Sequence, residues 1–261
     1  MAAPSRSRAE WVGFSTIIIR EFNRIVRIWG QTIVPPVVTA TLYFVIFGSL
    51  IGKRVGQVGG YDYMQFIAPG LIMMTVITNS YANVVSSFFG AKFGKHLEEL
   101  LVSPMPNWLI LTGYIAGGML RGLLVGSVVT LVAFFFTHLA VVHVFAILSA
   151  VLLTSMVFAL GGFINALFAT NFDQISWFPT FVLAPLTYLG GVFYSVTMLP
   201  DWAHIASHLN PILYMVSAFR YGFLGTTDVD LRLAYGIMIA AVVVMFTLAV
   251  TLLNRGTGIR D

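Results

Sequence analysis

The sequence contains few charged residues. Of its 261 residues only 9% are charged, whereas 58% are hydrophobic, and the mean hydropathy is +0.90. Soluble domains carry about 25% charged residues, and so few charges could not cover the surface of a soluble protein of this length. The composition therefore excludes a soluble globular domain and predicts one membrane-embedded unit.

Cysteine is absent from the chain. Its absence excludes disulfide bonds, thiolate metal sites and cysteine nucleophiles. The net charge of +4 would suit nucleic acid, but the basic residues are distributed as membrane topology requires. We therefore expect no nucleic-acid partner.

Nucleotide-binding motifs are also missing. Segments 48–53 and 90–95 are each one residue short of the phosphate-loop pattern, and neither has the strand-to-helix context of that loop. No dinucleotide-binding GxGxxG and no hydrolase GxSxG occurs. We therefore predict that the chain binds no ATP by that motif, holds no cofactor or catalytic residue, and is not itself an enzyme.

Uncharged stretches long enough to cross a membrane recur along the chain. A helix needs about 20 apolar residues to cross the hydrocarbon core. We therefore expect an all-α polytopic membrane protein with six transmembrane helices. The expected spans are residues 32–51, 63–89, 107–137, 143–168, 177–194 and 232–253.

Residues 202–219 are uncharged too, but His204, His208 and Pro211 disfavour a full crossing. We expect short re-entrant helices there, on the outer side between the fifth and sixth spans, shielded by protein rather than lipid. Six spans leave both termini in the cytoplasm. Nine of the 14 Lys and Arg residues then lie in inner segments and four, including Arg220, in outer ones, as the positive-inside rule predicts.

These features divide the chain into three parts. Residues 1–30 are expected to be a cytoplasmic segment with an amphipathic helix, and residues 255–261 a cytoplasmic tail. Residues 31–254 form a single transmembrane domain. Within it, residues 91–106 are an inner loop and residues 195–224 are the outer re-entrant helices.

The N-terminal segment predicts a helix that lies flat in the inner membrane interface. Large apolar side chains recur at helical spacing, and three arginines fall on the other side. We expect the rings to enter the lipid and the guanidinium groups to face anionic headgroups; a helix facing a soluble core is the alternative. The apolar row is Trp11, Phe14, Ile18, Phe22, Ile25 and Trp29, and the arginines are Arg20, Arg24 and Arg27.

The inner loop contains a short amphipathic pattern. Its apolar members are Phe93, Leu97, Leu100 and Leu101, beside the acidic Glu98 and Glu99. Such a helix suits a groove in a partner protein, or it lies on the headgroups. We favour the partner, because an anionic surface would repel the two glutamates.

Polar residues within the second and third spans indicate a translocation route. Thr75, Asn79, Asn83 and Ser86 share one face of the second span, and Arg121 lies inside the third. A charge at mid-bilayer costs about 2.5–3.5 kcal/mol on insertion scales, so Arg121 should face protein, water or an anionic group. Hydrogen bonds between helices explain the polar face equally well.

One set of residues has the spacing of a metal site. Asp201, His204 and His208 would share a helical face, but the set lacks the glutamate of the zincin motif. A metal-dependent membrane enzyme therefore stays an alternative, and a short helix that begins at Asp201 is the preferred interpretation.

Several segments in order along the chain resemble the permease subunits of type-2 ABC transporters, in particular the YadH-like bacterial inner-membrane group. Each segment is weakly specific alone, but their order is quite specific. The segments are 31–36 (QTIVPP), 63–70 (YMQFIAPG), 98–104 (EELLVSP), 185–194 (PLTYLGGVFY), 209–211 (LNP) and 219–222 (FRYG).

The resemblance implies a homodimeric membrane part of an exporter in a bacterial inner membrane, embedded in lipid and served by two copies of a separate cytosolic ATPase. ATP and Mg would be bound by that ATPase. It also implies that residues 97–102 form a coupling helix and that the N-terminal helix abuts the ATPase. The alternatives are an autonomous channel or facilitator, a membrane enzyme and a scaffold.

Overall fold

The computed structural model describes residues 6–97, 100 and 105–258. Most of these residues are helical, and one short hairpin pairs Gln57 with Asp62 and Val58 with Tyr61. The helices are α1 (Arg6–Arg27), α2 (Trp29–Tyr43), a π-helix (Phe44–Gly52), α3 (Lys53–Val55), α4 (Tyr63–Phe93), α5 (Asn107–Phe136), α6 (Val144–Phe168), α7 (Phe172–Phe178), a second π-helix (Pro179–Leu183), α8 (Ala184–Leu189), a 3₁₀ turn (Val196–Met198), α9 (Asp201–His208), α10 (Pro211–Leu224) and α11 (Leu231–Arg255).

Five of the described helices are long and apolar enough to cross a membrane. They are Trp29–Gly52, Tyr63–Phe93, Asn107–Phe136, Val144–Phe168 and Leu231–Arg255. Each overlaps one of the six predicted spans. An all-α, polytopic membrane protein is thus confirmed, and the helices that match the first, second and sixth predicted spans are longer than predicted.

The predicted fifth span, 177–194, differs from the structure. The helical run begins earlier, at Phe172, and ends at Leu189 after 18 residues. Pro179 starts a π-helical turn in which the backbone N–H of Ala184 bonds to the Pro179 carbonyl. Gly191, at φ +70°, then turns the chain away, because glycine tolerates this backbone conformation.

The helix α4 is the centre of the bundle. In an 18-residue apolar stretch of α4, 67% of the residues are buried, whereas the corresponding share is 12% in the first candidate span and 17% in the last. It packs against α5, α6 and α10. The residues of α4 are therefore the ones best placed to connect distant parts of the protein.

Glycines allow α5 and α6 to approach α4 closely. A Cβ at Gly118 of α5 would lie 2.5 Å from Val84 Cγ2 and 2.9 Å from the Ser80 carbonyl oxygen. A Cβ at Gly162 of α6 would lie 2.6 Å from the Tyr81 carbonyl oxygen. Close backbone approach at small residues is the usual way for helices to pack in membranes.

Arg220 is buried in α10 and does not lie in an exposed loop. Its guanidinium carbon lies 3.9 Å from the centroid of the Phe66 ring. The group donates to the Phe66 carbonyl at 3.2 Å and to the Gly191 carbonyl at 2.6 Å, and it lies 3.6 Å from the Asp228 carboxylate. These partners compensate the charge, which burial alone would make unfavourable.

Gly118→Ala should destabilise the bundle, because the added methyl group meets the backbone of α4. We expect a loss of about 1–3 kcal/mol, the usual cost of overpacking, seen as a lower temperature of thermal aggregation in detergent. Gly236→Ala in α11 is the matched control, since a Cβ there meets nothing within 4 Å. Equal stability of the two variants would contradict the packing described here.

Candidate coupling and translocation sites

The N-terminal helix α1 packs on the transmembrane bundle through one face. Ile17 and Ile25 are 3% exposed and Glu21 is 1% exposed, and they point to α5 and α4. A Cβ at Gly113 would lie 2.7 Å from Ile17, and one at Gly117 would lie 2.8 Å from Glu21. This glycine pair of α5 therefore makes room for α1.

The exposed face of α1 carries only part of the predicted apolar row. Trp11 is 67% exposed, Phe22 48% and Trp29, just beyond α1, 63%, whereas Phe14 and Ile18 are partly buried. Ile25 is buried in protein, so its assignment to the lipid-facing row was wrong. The helix turns one face to the bundle and leaves several large rings uncovered, as an interfacial helix would.

The carboxylate of Glu21 is the centre of a buried polar cluster. Arg24 donates to it at 2.9 Å, Asn83 of α4 donates at 3.3 Å, and Ser87 of α4 also donates to it. Arg24 bonds in addition to the Asn83 side-chain oxygen at 2.7 Å. We refer to Glu21, Arg24, Asn83 and Ser87 as the Glu21 cluster.

The predicted orientation of the arginines is only partly correct. Arg24 belongs to the Glu21 cluster, because a carboxylate that is 1% exposed requires a counter-charge. Arg20 donates to the hydroxyl of Tyr114 in α5 at 2.7 Å. Arg27 is exposed, as expected of a group that faces headgroups.

The polar face of α4 is divided between two surroundings. Its lower half, nearer the C-terminal end of α4, consists of Asn83 and Ser86. Both bond to α1, and Ser86 accepts a hydrogen bond from Arg24 at 3.1 Å. Its upper half, Thr75 and Asn79, lines a cavity. The interhelical-bond interpretation therefore holds for one half of the face, and the route interpretation is left to the other half.

The cavity beside Thr75 and Asn79 has a volume of about 360 Å³ and lies between α2, α4 and α5. Arg121 of α5 reaches it, whereas α2 contributes a row of mixed polar and apolar groups. The lining residues are Gln31, Pro35, Pro36, Thr39, Ala40, Tyr43, Leu71, Met74, Thr75, Thr78, Asn79 and Arg121. We call this space the Arg121 cavity.

The predicted coupling loop is described only in part. Glu98, Glu99 and Leu101 lie outside the described residues. Leu97 is 2% exposed and packs in the core with Phe88 and Phe89, and Leu100 is partly buried against the same core. Leu97 is therefore unavailable to a partner.

Phe93 is the described member of the loop that is most accessible. It is 63% exposed, and its ring centroid lies 6.0 Å from that of Phe89, in a tilted arrangement, and 5.2 Å from that of Phe172, in an edge-on arrangement. The difference from Leu97 arises because α4 ends at Phe93 and Lys95, at φ +59°, interrupts the helical path between the two side chains. A regular helix through the loop would have put both side chains on one face.

The metal-like set does not form a site. In α9 the rings of His204 and His208 lie 4.3 Å apart, and His208 Nδ1 pairs with the His204 carbonyl at 2.9 Å. Within the described ranges no group of three or more His, Cys, Asp or Glu residues could hold a metal ion. The alternative of a metal-dependent enzyme has no geometric support at Asp201.

Sequence comparison identifies the family of this helical bundle. Residues 12–224 match the sequence model of the ABC-2 type transporter. The chain belongs to the ABC-2 type transporter family. It is therefore the permease component of an ABC transporter, a membrane protein and not itself an enzyme.

Two kinds of curated relative support this assignment. The inner membrane transport permease YadH of Escherichia coli K12 is 54% identical over 251 residues, which cover 96% of this chain and 98% of the relative. Nodulation protein J of Rhizobium leguminosarum bv. trifolii is 26% identical over 215 residues, 82% of each chain. The resemblance to this permease group is confirmed.

Arg24→Leu should destabilise the ABC-2 permease, because it leaves the Glu21 carboxylate buried without its nearest counter-charge. We expect a loss of about 3–5 kcal/mol and partial recovery in the double variant Glu21→Leu, Arg24→Leu, measured by thermal stability in detergent. Arg27→Leu is the control on the same helix and should have little effect. A double variant that is less stable than Arg24→Leu would contradict the pairing.

Proposed function

We propose that this permease works as a homodimer with two copies of a cytosolic ATPase and exports its substrate from the cytoplasm or the inner leaflet. ATP and Mg bind to the ATPase subunits. Membership of the ABC-2 family supports this assembly, since such permeases typically act with an ABC ATPase. The observation on which the coupling mechanism depends is the Glu21 cluster, which joins the N-terminal helix to the central helix α4.

The proposed topology has six spans with both termini in the cytoplasm of a bacterium. The interrupted helical run from Phe172 to Leu189 is the fifth crossing. Its 18 residues extend about 27 Å, close to the thickness of the hydrocarbon core, about 30 Å. The helices α9 and α10, of 8 and 14 residues, are too short to cross and form the outer re-entrant pair.

The ATPase acts on two adjacent elements, the loop 91–106 and α1. Phe93 offers the partner an exposed ring, and α1 offers its uncovered face. When the ATPase pair closes, a shift of α1 is passed to α4 through Arg24 and Asn83, whose hydrogen bonds leave little freedom between the two helices. Small shifts of packed helices are the usual form of such transitions.

The translocation route follows the polar face of α4. Thr75 and Asn79 line its upper part together with Arg121, and Asn83 and Ser86 lie where α1 moves against α4. Movement of α1 would therefore alter the inner end of the route. This arrangement supports alternating access of the route to the two sides of the membrane.

Phe93→Ser should weaken the complex with the ATPase while leaving the permease folded, because the side chain is 63% exposed. We expect about tenfold weaker binding, typical of the loss of one aromatic anchor, and a matching loss of ATPase stimulation. Binding and turnover are measured with purified subunits in lipid nanodiscs.

Phe145→Ser is the control, since Phe145 is 89% exposed at the start of α6, near the outer end in the proposed topology. It should leave binding and turnover unchanged. A permease that stimulates no ABC ATPase bound to it, or that conducts ions alone, would refute the proposed function.

A further inference from the structure

Arg121 lies in the middle of a candidate span. It is about 21 Å along α5, a helix of about 45 Å. An ionised side chain at this depth is unfavourable and requires a partner.

The described residues offer Arg121 no counter-charge. Its Nε atom is buried without a hydrogen-bond partner, and no ion pair within the described ranges includes it. Arg24 and Arg220 also have one buried nitrogen each without a hydrogen-bond partner, but both have an acidic partner and a carbonyl acceptor inside the protein. The bundle thus supplies Arg24 and Arg220 with a counter-charge, whereas Arg121 has none among the described residues and lines a cavity.

The lining of the Arg121 cavity combines polar and apolar groups. Thr75, Asn79 and Gln31 are polar members of the same lining as Arg121, whereas Pro35 and Leu71 are apolar members. Its volume of about 360 Å³ falls in the range of small-molecule sites. Such a cavity suits a molecule with one anionic group and an apolar tail.

We infer that the Arg121 cavity binds the anionic group of an amphiphile, a phosphate monoester or a carboxylate, and that the transported substrate belongs to this class. The guanidinium pairs with the oxyanion, as arginine does with phosphate and carboxylate groups, and Thr75 and Asn79 lie beside it. The assignment of the ligand as substrate depends on the proposed function, whereas the binding site does not.

A second cavity on the other side of α4 supplies an internal control. It has a volume of about 480 Å³ and shares Met74 and Thr78 with the Arg121 cavity. Its remaining lining includes Ser176 and Thr180, and none of its described lining residues is Lys or Arg. An amphiphile that enters by hydrophobicity alone would occupy both cavities.

The test uses the absence of native cysteine. Thr75→Cys and Thr180→Cys place one thiol in each cavity, and the rate of maleimide labelling is measured for the full-length permease in phosphatidylcholine nanodiscs. The probes are dodecyl phosphate and dodecyl maltoside, which share one alkyl chain and differ in head-group charge. We expect dodecyl phosphate to slow labelling at position 75 about tenfold and to leave position 180 unchanged.

Charge variants of Arg121 decide whether the guanidinium is responsible. In the Thr75→Cys background, Arg121→Gln should abolish protection by dodecyl phosphate, and Arg121→Lys should retain part of it. The labelling rate without probe reports whether each variant keeps the cavity. The inference would be overturned if both probes protected equally or if protection survived Arg121→Gln. It would also be overturned if dodecyl phosphate gave no protection while Arg121 is unaltered.

The source of the anionic group is tested separately. Nanodiscs that contain phosphatidylglycerol show whether a resident lipid fills the cavity. In that case position 75 would be protected from labelling without added probe. Such a result would overturn the assignment of the ligand as substrate. Stimulation of the bound ATPase by dodecyl phosphate, lost in Arg121→Gln, supports that assignment. If dodecyl phosphate protects position 75 but the permease forms no functional complex with an ATPase, the proposed function is refuted. The inference of a binding site is then still supported.

Discussion

The buried carboxylate of Glu21 joins three helices that are far apart in sequence. It holds Arg24 on its own helix, Asn83 and Ser87 on α4, and it packs against Gly117 of α5. Because a carboxylate out of contact with water is unfavourable unless it is paired, α1 cannot leave the bundle without exposing this group or losing its partners. The position of the N-terminal helix, and with it the proposed connection to an ATPase, depends on this cluster.

Three arginines of the bundle face the same requirement for a counter-charge, and only two of them have one among the described residues. Arg24 and Arg220 are neutralised by Glu21 and Asp228 and bond to backbone carbonyls of other elements, so they fix the positions of helices. Arg121 has no such partner among the described residues and borders a cavity. The first two hold helices together, and the third is the one we propose for recognition of an anionic group.

The sequence predicted much of the fold because a lipid bilayer restricts which secondary structures can cross it. Five of the uncharged runs coincide with helices that are long and apolar enough to cross a membrane, and the short helices α9 and α10 lie within the segment in which no crossing was expected. The interrupted run from Phe172 to Leu189 was placed too late, since apolar composition does not reveal where Pro179 and Gly191 alter the backbone. Leu97 was assigned to a partner because its spacing fits a helix, and the left-handed Lys95 breaks that helix.

Composition and order along the chain by themselves determined the membrane-embedded, helical class and the permease family, because hydrophobic length and motif order are properties of a linear sequence. Only the tertiary structure decided which polar residues meet. Helical periodicity placed Thr75, Asn79, Asn83 and Ser86 on one face of a helix. In the structure Asn83 and Ser86 bond to α1, whereas Thr75 and Asn79 line a cavity together with residues of α2. Such pairings depend on contacts between residues distant in sequence, which helical periodicity does not encode.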